Sequence, residues 1–302
     1  MYNEQQKMDY LNEIIKESSP NYNTIMTYFN KCSEIETITE KDISCFNLNE
    51  IIGYYKQLNT TSSQYLQSLN SQLGAYTGWC QNSGSVPDNQ NHFKEVTRKM
   101  LEQCINEHLL KRQRITRDEL LQELSEQKFN VCEDFLLLAL FEGICGKRYS
   151  EIRSLSLKNF KGNKVVFENR EFEVSNKLIE LATESAETYY YIDSKSSRRN
   201  LDPDDKRCFK FPKKTVGDEN KEVFFIIRKL QKLKSEYDLY YVSSDCLKES
   251  GRLDMIKRIM RENNWSAETA IRNRIKDIEY RYGRIMSIPI YLRNNIDFLE
   301  EK

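Results

Sequence analysis

A chain of 302 residues, 39% hydrophobic and 30% charged, is long enough for one large domain or two ordinary ones. Five prolines and ten glycines leave room for long helices and argue against a sandwich of many short strands, and no apolar run approaches the roughly 20 residues that span a bilayer. Net charge is zero, which excludes a uniformly basic nucleic-acid binder, yet residues 1–93 hold five lysines against ten carboxylates, so the remainder is correspondingly basic.

The start, MYNEQQKMDYLNEIIKESSP, carries neither a signal h-region nor a lipidation motif, and a cytoplasmic location without a membrane partner is expected. Apolar positions then recur at helical spacing in four segments. These are MDYLNEIIK (8–16), SPNYNTIMTYFNKCSEI (19–35), DISCFNLNEIIGYYKQL (42–58) and SSQYLQSLNSQLGAYTGWCQNSG (62–84). Ser19 and Pro20 suit an N-cap and first helical residue, and Gly84 suits a helix end. The aromatics Tyr28, Phe29, Tyr54, Tyr65, Tyr76 and Trp79 read as the core of this small bundle.

The run of turn formers QNSGSVPDNQN (81–91) divides the chain into domains 1–91 and 92–302. The second opens on HFKEVTRKMLEQCINEHLLKRQ, read as a connecting helix, followed by a helix for which Thr116 and Glu119 form a capping box. The apolar helix 131–142 leads into GICGKRYSEI, where two glycines and a small Cys145 fit a tight turn. From NKVVFENREFEVS the period becomes two, with Val165 and Phe167 answering Phe172 and Val174 across Asn169 and Arg170, a hairpin. NKLIELATESAETYYYI returns to helix, and the loop 194–214 holds eight basic and three acidic residues with a short strand at CFKF. Residues from Glu222 to about Arg284 read as three or four helices, and 252–284 hold nine basic and five acidic groups. Basic clusters of this kind suit a phosphate-binding face.

Eight cysteines lie scattered without a C-x-x-C pair, so neither a zinc cluster nor a redox dithiol is expected. The two histidines, His92 and His108, have no second ligand or nucleophile pattern near them. No metal or cofactor is expected.

The order of parts, a four-helix domain, a hinge, ITRDELLQEL, an apolar helix, GICGKRYSEIRSLSLKNF and a hairpin, resembles the tyrosine recombinase (phage integrase) family over nearly the whole chain. In that family an apolar helix ends in a small-residue turn followed by Arg-x-Ser-Glu-Leu, which Arg148, Ser150, Glu151, Ile152 and Leu155 match. The resemblance implies a mainly α protein: an N-terminal four-helix SAM-like core-binding domain, and a C-terminal recombinase-like helical domain with a small β-hairpin or sheet. It also implies a phosphate site of two arginines and a histidine or lysine, with a tyrosine nucleophile near the C-terminus. Here the His-x-x-Arg box has DCLK as counterpart, placing Asp245 and Lys248 at its ends. Aspartate repels a phosphate and lysine lacks arginine's bidentate fork. Trp265 stands at the next histidine position, the nucleophile register falls near Arg274, and Tyr280 and Tyr282 lie beyond it in an amphipathic helix.

The chain is further similar to the lytic-cycle master repressors of SPbeta-type Bacillus prophages, the MrpR family. That resemblance implies a sequence-specific repressor of a prophage on a recombinase scaffold without recombinase activity, closing two domains around double-stranded operator DNA in the host cell's nucleoid. Candidate DNA contacts are Arg148, Lys164, Arg198, Arg199, Lys248, Arg252, Lys257, Arg272 and Arg274. A homodimer and a phage-encoded protein or peptide antagonist are the further partners considered. An active recombinase and a protein-interaction module without DNA binding are the competing readings.

Overall fold

The computed structural model describes residues 1–86, 91–126, 129–193 and 195–300, so residues 87–90 of the expected break lie outside the described residues. The chain forms two compact units, Met1–Lys111 and Arg112–Lys302.

The first unit contains α1 (Glu4–Tyr10), extended by a wider turn to Ile15, then α2 (Tyr22–Thr39), α3 (Leu48–Gln57) and α4 (Ser63–Asn82). Asn21 rather than Ser19 precedes the first residue of α2, because Ser19 accepts a turn bond from Tyr22 N instead. Gly84, with φ of 72°, ends α4 as expected. The expected aromatic core is present: Tyr28, Phe29, Tyr54 and Tyr76 are buried, with Tyr65 and Trp79 packed against them. Fully buried Lys7 donates to Glu36 (2.6 Å) and to the Tyr2 carbonyl, pinning α1 to α2.

The expected connecting helix is broken into a 3-10 turn, α5 (Arg98–Glu102) and α6 (Glu107–Lys111). Thr97 caps α5 through its side chain, and Asn106 N bonds to Thr60 O, which ties this stretch back to the bundle. Phe93, Leu101 and Cys104 join the first unit's core, so that unit runs past the boundary expected at residue 91.

The second unit is built around α8 (Val131–Phe141), whose residues from Phe135 to Phe141 are all buried. An apolar circumference marks a helix enclosed on every side. Before it lies α7 (Arg117–Ser125), opened by the expected capping box, with Thr116 accepting from Glu119 N and Glu119 accepting from Thr116 N. After it come α9 (Ser150–Ser154) and an antiparallel sheet of β1 (Phe160–Lys161), β2 (Lys164–Val166) and β3 (Glu171–Glu173). The hairpin forms, but Val165 faces Phe172, a register shifted by two from the one that a turn at Asn169 and Arg170 would set. Phe167 N bonds to Arg170 O, which moves the turn to Glu168 and Asn169, and β1 adds at the hairpin's edge.

Helix α10 (Asn176–Glu187) packs on α8, and the chain then departs from expectation. The tyrosines read as the end of a helix instead form β4 (Tyr190–Ile192), paired with β5 (Arg198–Asn200). Thr188 turns to extended backbone, and the β-favouring run YYYI follows it. The expected strand at CFKF is irregular: Cys208, Phe209 and Phe211 are fully buried, and only Arg207 makes an isolated bridge, to Ser156.

Three long helices, α11 (Glu219–Glu236), α12 (Ser244–Asn263) and α13 (Ala267–Tyr282), follow, and α14 (Ile288–Glu300) covers α12 and α13 through a second, smaller core. Gly251 lets α12 cross the end of α8, since a Cβ there would lie 1.7 Å from the Phe141 carbonyl oxygen. Among the described residues no helix is long and apolar enough to cross a membrane. All eight cysteines are free thiols.

Candidate nucleic-acid interface

The turn after α8 is built on glycine. Gly143 and Gly146 have φ of 89° and 68°, which a Cβ disfavours. The two residues that follow Lys147 are both left-handed, Arg148 at φ 53° and Tyr149 at 59°. Such a conformation is uncommon outside glycine, and here it presents the Arg148 side chain outward, about half exposed. Its guanidinium donates to Asn220 Oδ1 and lies 3.5 Å from Glu219, both at the start of α11.

What holds this turn is Glu151. Its carboxylate accepts from Cys145 N at 2.8 Å and takes two hydrogen bonds from Arg170, the residue at the β2–β3 turn. Arg170 also donates to the carbonyls of Gly143, Tyr280 and Arg281, so one guanidinium joins the hairpin, the turn and the end of α13. Local spacing marks Arg170 as a turn residue and nothing more. Only its distant partners, unreadable from local spacing, mark it as the anchor.

The first turn of α12 meets the same feature. Burial pushes both the Tyr149 phenol and the Cys145 thiol up, with Ser244, Asp245 and Lys248 of α12 among the groups that act on them. Asp245 and Lys248, in the first turn of α12, are thus within electrostatic reach of Cys145 and Tyr149, which flank Arg148. Lys248 is paired with largely exposed Asp245 at 3.2 Å. Trp265 lies between α12 and α13, half-buried against the smaller core.

Of the remaining candidates, Lys164, Arg272 and Arg274 are exposed and paired with Glu171, Glu268 and Asp277. Arg198 and Arg199 are exposed on β5, the former stacked over Tyr190 and the latter paired with Asp193. Arg252 is different. Only 12% of its side chain is exposed, and its guanidinium donates to the Tyr282 carbonyl and pairs with Glu249, engagements inside the fold that displace it from a DNA-contact role. Lys257 is half-buried, its ammonium 4.4 Å over the ring of Phe298. The basic loop is partly internal as well: Arg207 is held by Asp205 and Glu222, and buried Lys210 caps the Tyr189 ring.

The two C-terminal tyrosines are differently placed. Tyr282 is buried, its hydroxyl donating to the Phe141 carbonyl at 3.2 Å, and burial pushes its pKa up to about 12. Tyr280 is 49% exposed, and its phenolic oxygen accepts from Glu171 N at 2.9 Å.

A feature missed in the sequence lies on α11. Val223, Ile226, Leu230 and Leu233 face the core, whereas Asn220, Phe224, Arg228 and Gln231 share the opposite, exposed face at spacings of four, four and three. Phe224 is 61% exposed, one turn beyond the residue that holds Arg148. The signal that could have found it was this polar and aromatic stripe opposite a regular apolar one.

Residues 1–82 match the family model described as the MrpR N-terminal core-binding domain, and residues 115–297 match that described as the MrpR C-terminal catalytic domain. The chain belongs to the MrpR family. No curated protein matches it significantly. The MrpR matches establish a tyrosine-recombinase-like scaffold of core-binding and catalytic domains, and they place the Arg148 turn, the hairpin and α11–α13 within the second of these.

Proposed function

We propose that this MrpR-family protein is a sequence-specific duplex-DNA-binding repressor of a prophage that holds DNA without cutting it. The observation that carries the reading is an exposed Arg148 beside tyrosines unsuited to attack phosphorus. Tyr282 turns its hydroxyl into the fold, Tyr280 accepts a backbone N–H on its oxygen, and exposed Asp245 adds negative charge beside the arginine turn. A nucleophilic phenol requires a free, activated oxygen.

Arg148 offers a two-pronged phosphate grip, and the exposed face of α11 offers the base-reading side chains. Gln231 suits adenine, Arg228 suits guanine and Phe224 suits the thymine methyl, while Asn220 steadies Arg148. Arg272 and Arg274 on α13 add further phosphate contacts.

The test has two steps. Selection against genomic fragments should recover a preferred duplex whose affinity falls steeply with salt, and Phe224→Ala with Arg228→Ala should abolish the preference more than the residual non-specific binding. A nicked suicide substrate built on that site should give no protein–DNA adduct. An adduct lost in Tyr280→Phe would establish an active recombinase, and absence of duplex binding at about 50 mM salt would favour a protein-interaction module.

A further inference from the structure

The ribbon of β4 and β5 treats its two outer edges differently. Leu201 N bonds to Tyr189 O and Asp193 N to Ser197 O, each at 2.9 Å, so these opposed residues are hydrogen-bonded pairs. Alternation along an antiparallel ladder makes Tyr191 and Arg199 the hydrogen-bonded pair between them. Tyr190, Ile192, Arg198 and Asn200 therefore turn their N–H and C=O groups outward.

On the β4 side the outward groups of Ile192 are occupied. The Asn130 side chain accepts from Ile192 N at 2.7 Å and donates to Ile192 O at 3.1 Å, as a neighbouring strand would. On the β5 side the outward groups of Arg198 and Asn200 have no hydrogen-bond partner among the described residues, and all three β5 residues are exposed. Tyr190 and Ile192, each 40% exposed, share a face with Arg198, whose guanidinium lies 3.9 Å from the Tyr190 ring centre.

Charged residues on an edge normally prevent strands from pairing. Here the charge has one sign: Asp193 is taken by Arg199, and Arg198 has no carboxylate partner among the described residues. A second copy of β5 would oppose arginine to arginine. An acidic strand would not. Duplex phosphate suits the outward N–H groups and the guanidinium but is repelled by the two outward carbonyls, which only a donor-bearing backbone can satisfy.

We propose that the open edge of β5 docks an extended acidic segment of another protein by strand addition, with carboxylates over Arg198 and apolar side chains against Tyr190 and Ile192. The site needs no change elsewhere in the fold, and it takes Arg198 from the candidate DNA contacts.

The probe is a labelled, end-blocked peptide of alternating Glu and Val, titrated onto the full chain, with alternating Lys and Val as the control. Asn200→Pro is the decisive variant: it deletes an outward N–H that takes no part in the ribbon's own ladder, so the ribbon should survive. Binding of the Glu–Val peptide should weaken about tenfold or more in Asn200→Pro and in Arg198→Glu, the order expected for loss of one charge-assisted or edge hydrogen bond. Hydrogen exchange at the Arg198 and Asn200 amides should slow in the complex. A Glu–Val peptide carrying N-methyl groups on alternate amides should also lose binding, a control that stands even where Asn200→Pro perturbs the melt. Equal binding of the Lys–Val peptide, unchanged affinity in Asn200→Pro, or no peptide binding at all would overturn the proposal. So would loss of duplex affinity in Arg198→Glu without any peptide binding, which would make the ribbon a DNA contact.

Discussion

Replacing Asp134 by Asn should stabilise the second unit at pH 8 and do little near pH 4. Asp134 is 6% exposed on α8, its Oδ1 has no hydrogen-bond partner, and burial followed by the adjacent Glu133 carboxylate pushes its pKa up to about 7 from 3.8. Between those two values the folded chain keeps a proton that the unfolded chain has released. Unfolding free energy must therefore fall as pH rises through this window, and the loss is complete above the folded pKa. A shift of about 3 units corresponds to about 4 kcal/mol at 1.36 kcal/mol per unit. Relaxation around an ionised carboxylate lowers this, and about 2 kcal/mol is the working figure. Asparagine has nearly the same shape and no charge, so the stability difference between variant and parent should grow from near zero at pH 4 to about 2 kcal/mol at pH 8. Urea unfolding read by Trp265 emission in a Trp79→Phe background isolates the second unit, because Trp265 packs in its smaller core. A difference that is the same at both pH values would refute the assignment of an uncompensated buried carboxylate.

Gly251→Ala should destabilise by at least about 3 kcal/mol, the upper range for overpacking, because backbone rather than a side chain blocks the new methyl group; thermal melting reads it, and a loss under 1 kcal/mol would show that α8 and α12 can separate cheaply. Arg170→Ala should cost about 2–4 kcal/mol by removing a partly buried ion pair and three carbonyl contacts, and a double-mutant cycle with Glu151→Gln should return a coupling above about 1 kcal/mol. Arg148→Ala should leave the melt unchanged, since Arg148 is half exposed, while lowering duplex affinity about tenfold and reducing the salt slope by about one. An unaltered salt slope would remove Arg148 from the phosphate contacts.

Local signals with a fixed geometric partner were legible. The Thr116–Glu119 box and the helix end at Gly84 involve residues a few positions apart and are present, and the hairpin is present too, although its turn lies one residue earlier than the spacing suggests. Elements decided by burial were less legible. CFKF has a strand's composition, but three of its residues fill the core while Arg207 before it is drawn to Asp205 and Glu222, so no ladder forms. The connecting helix has helical spacing throughout, yet Phe93, Leu101 and Cys104 gain more from joining the first unit's core than from one straight rod.

The candidate site divides in the same way. Its exposed arginines were all visible as charges, but exposure and engagement are tertiary properties, and Arg252 and Arg148 look alike in the sequence while one is held under α14 and the other faces solvent. By itself the sequence determined most helices, their caps, the presence of the hairpin and the order of parts, because these rest on interactions within a turn or two of the chain. The tertiary structure alone decided that Arg170 anchors the Arg148 turn and that Tyr282 points inward. Those outcomes depend on which atoms over a hundred residues away arrive to accept or donate a hydrogen bond.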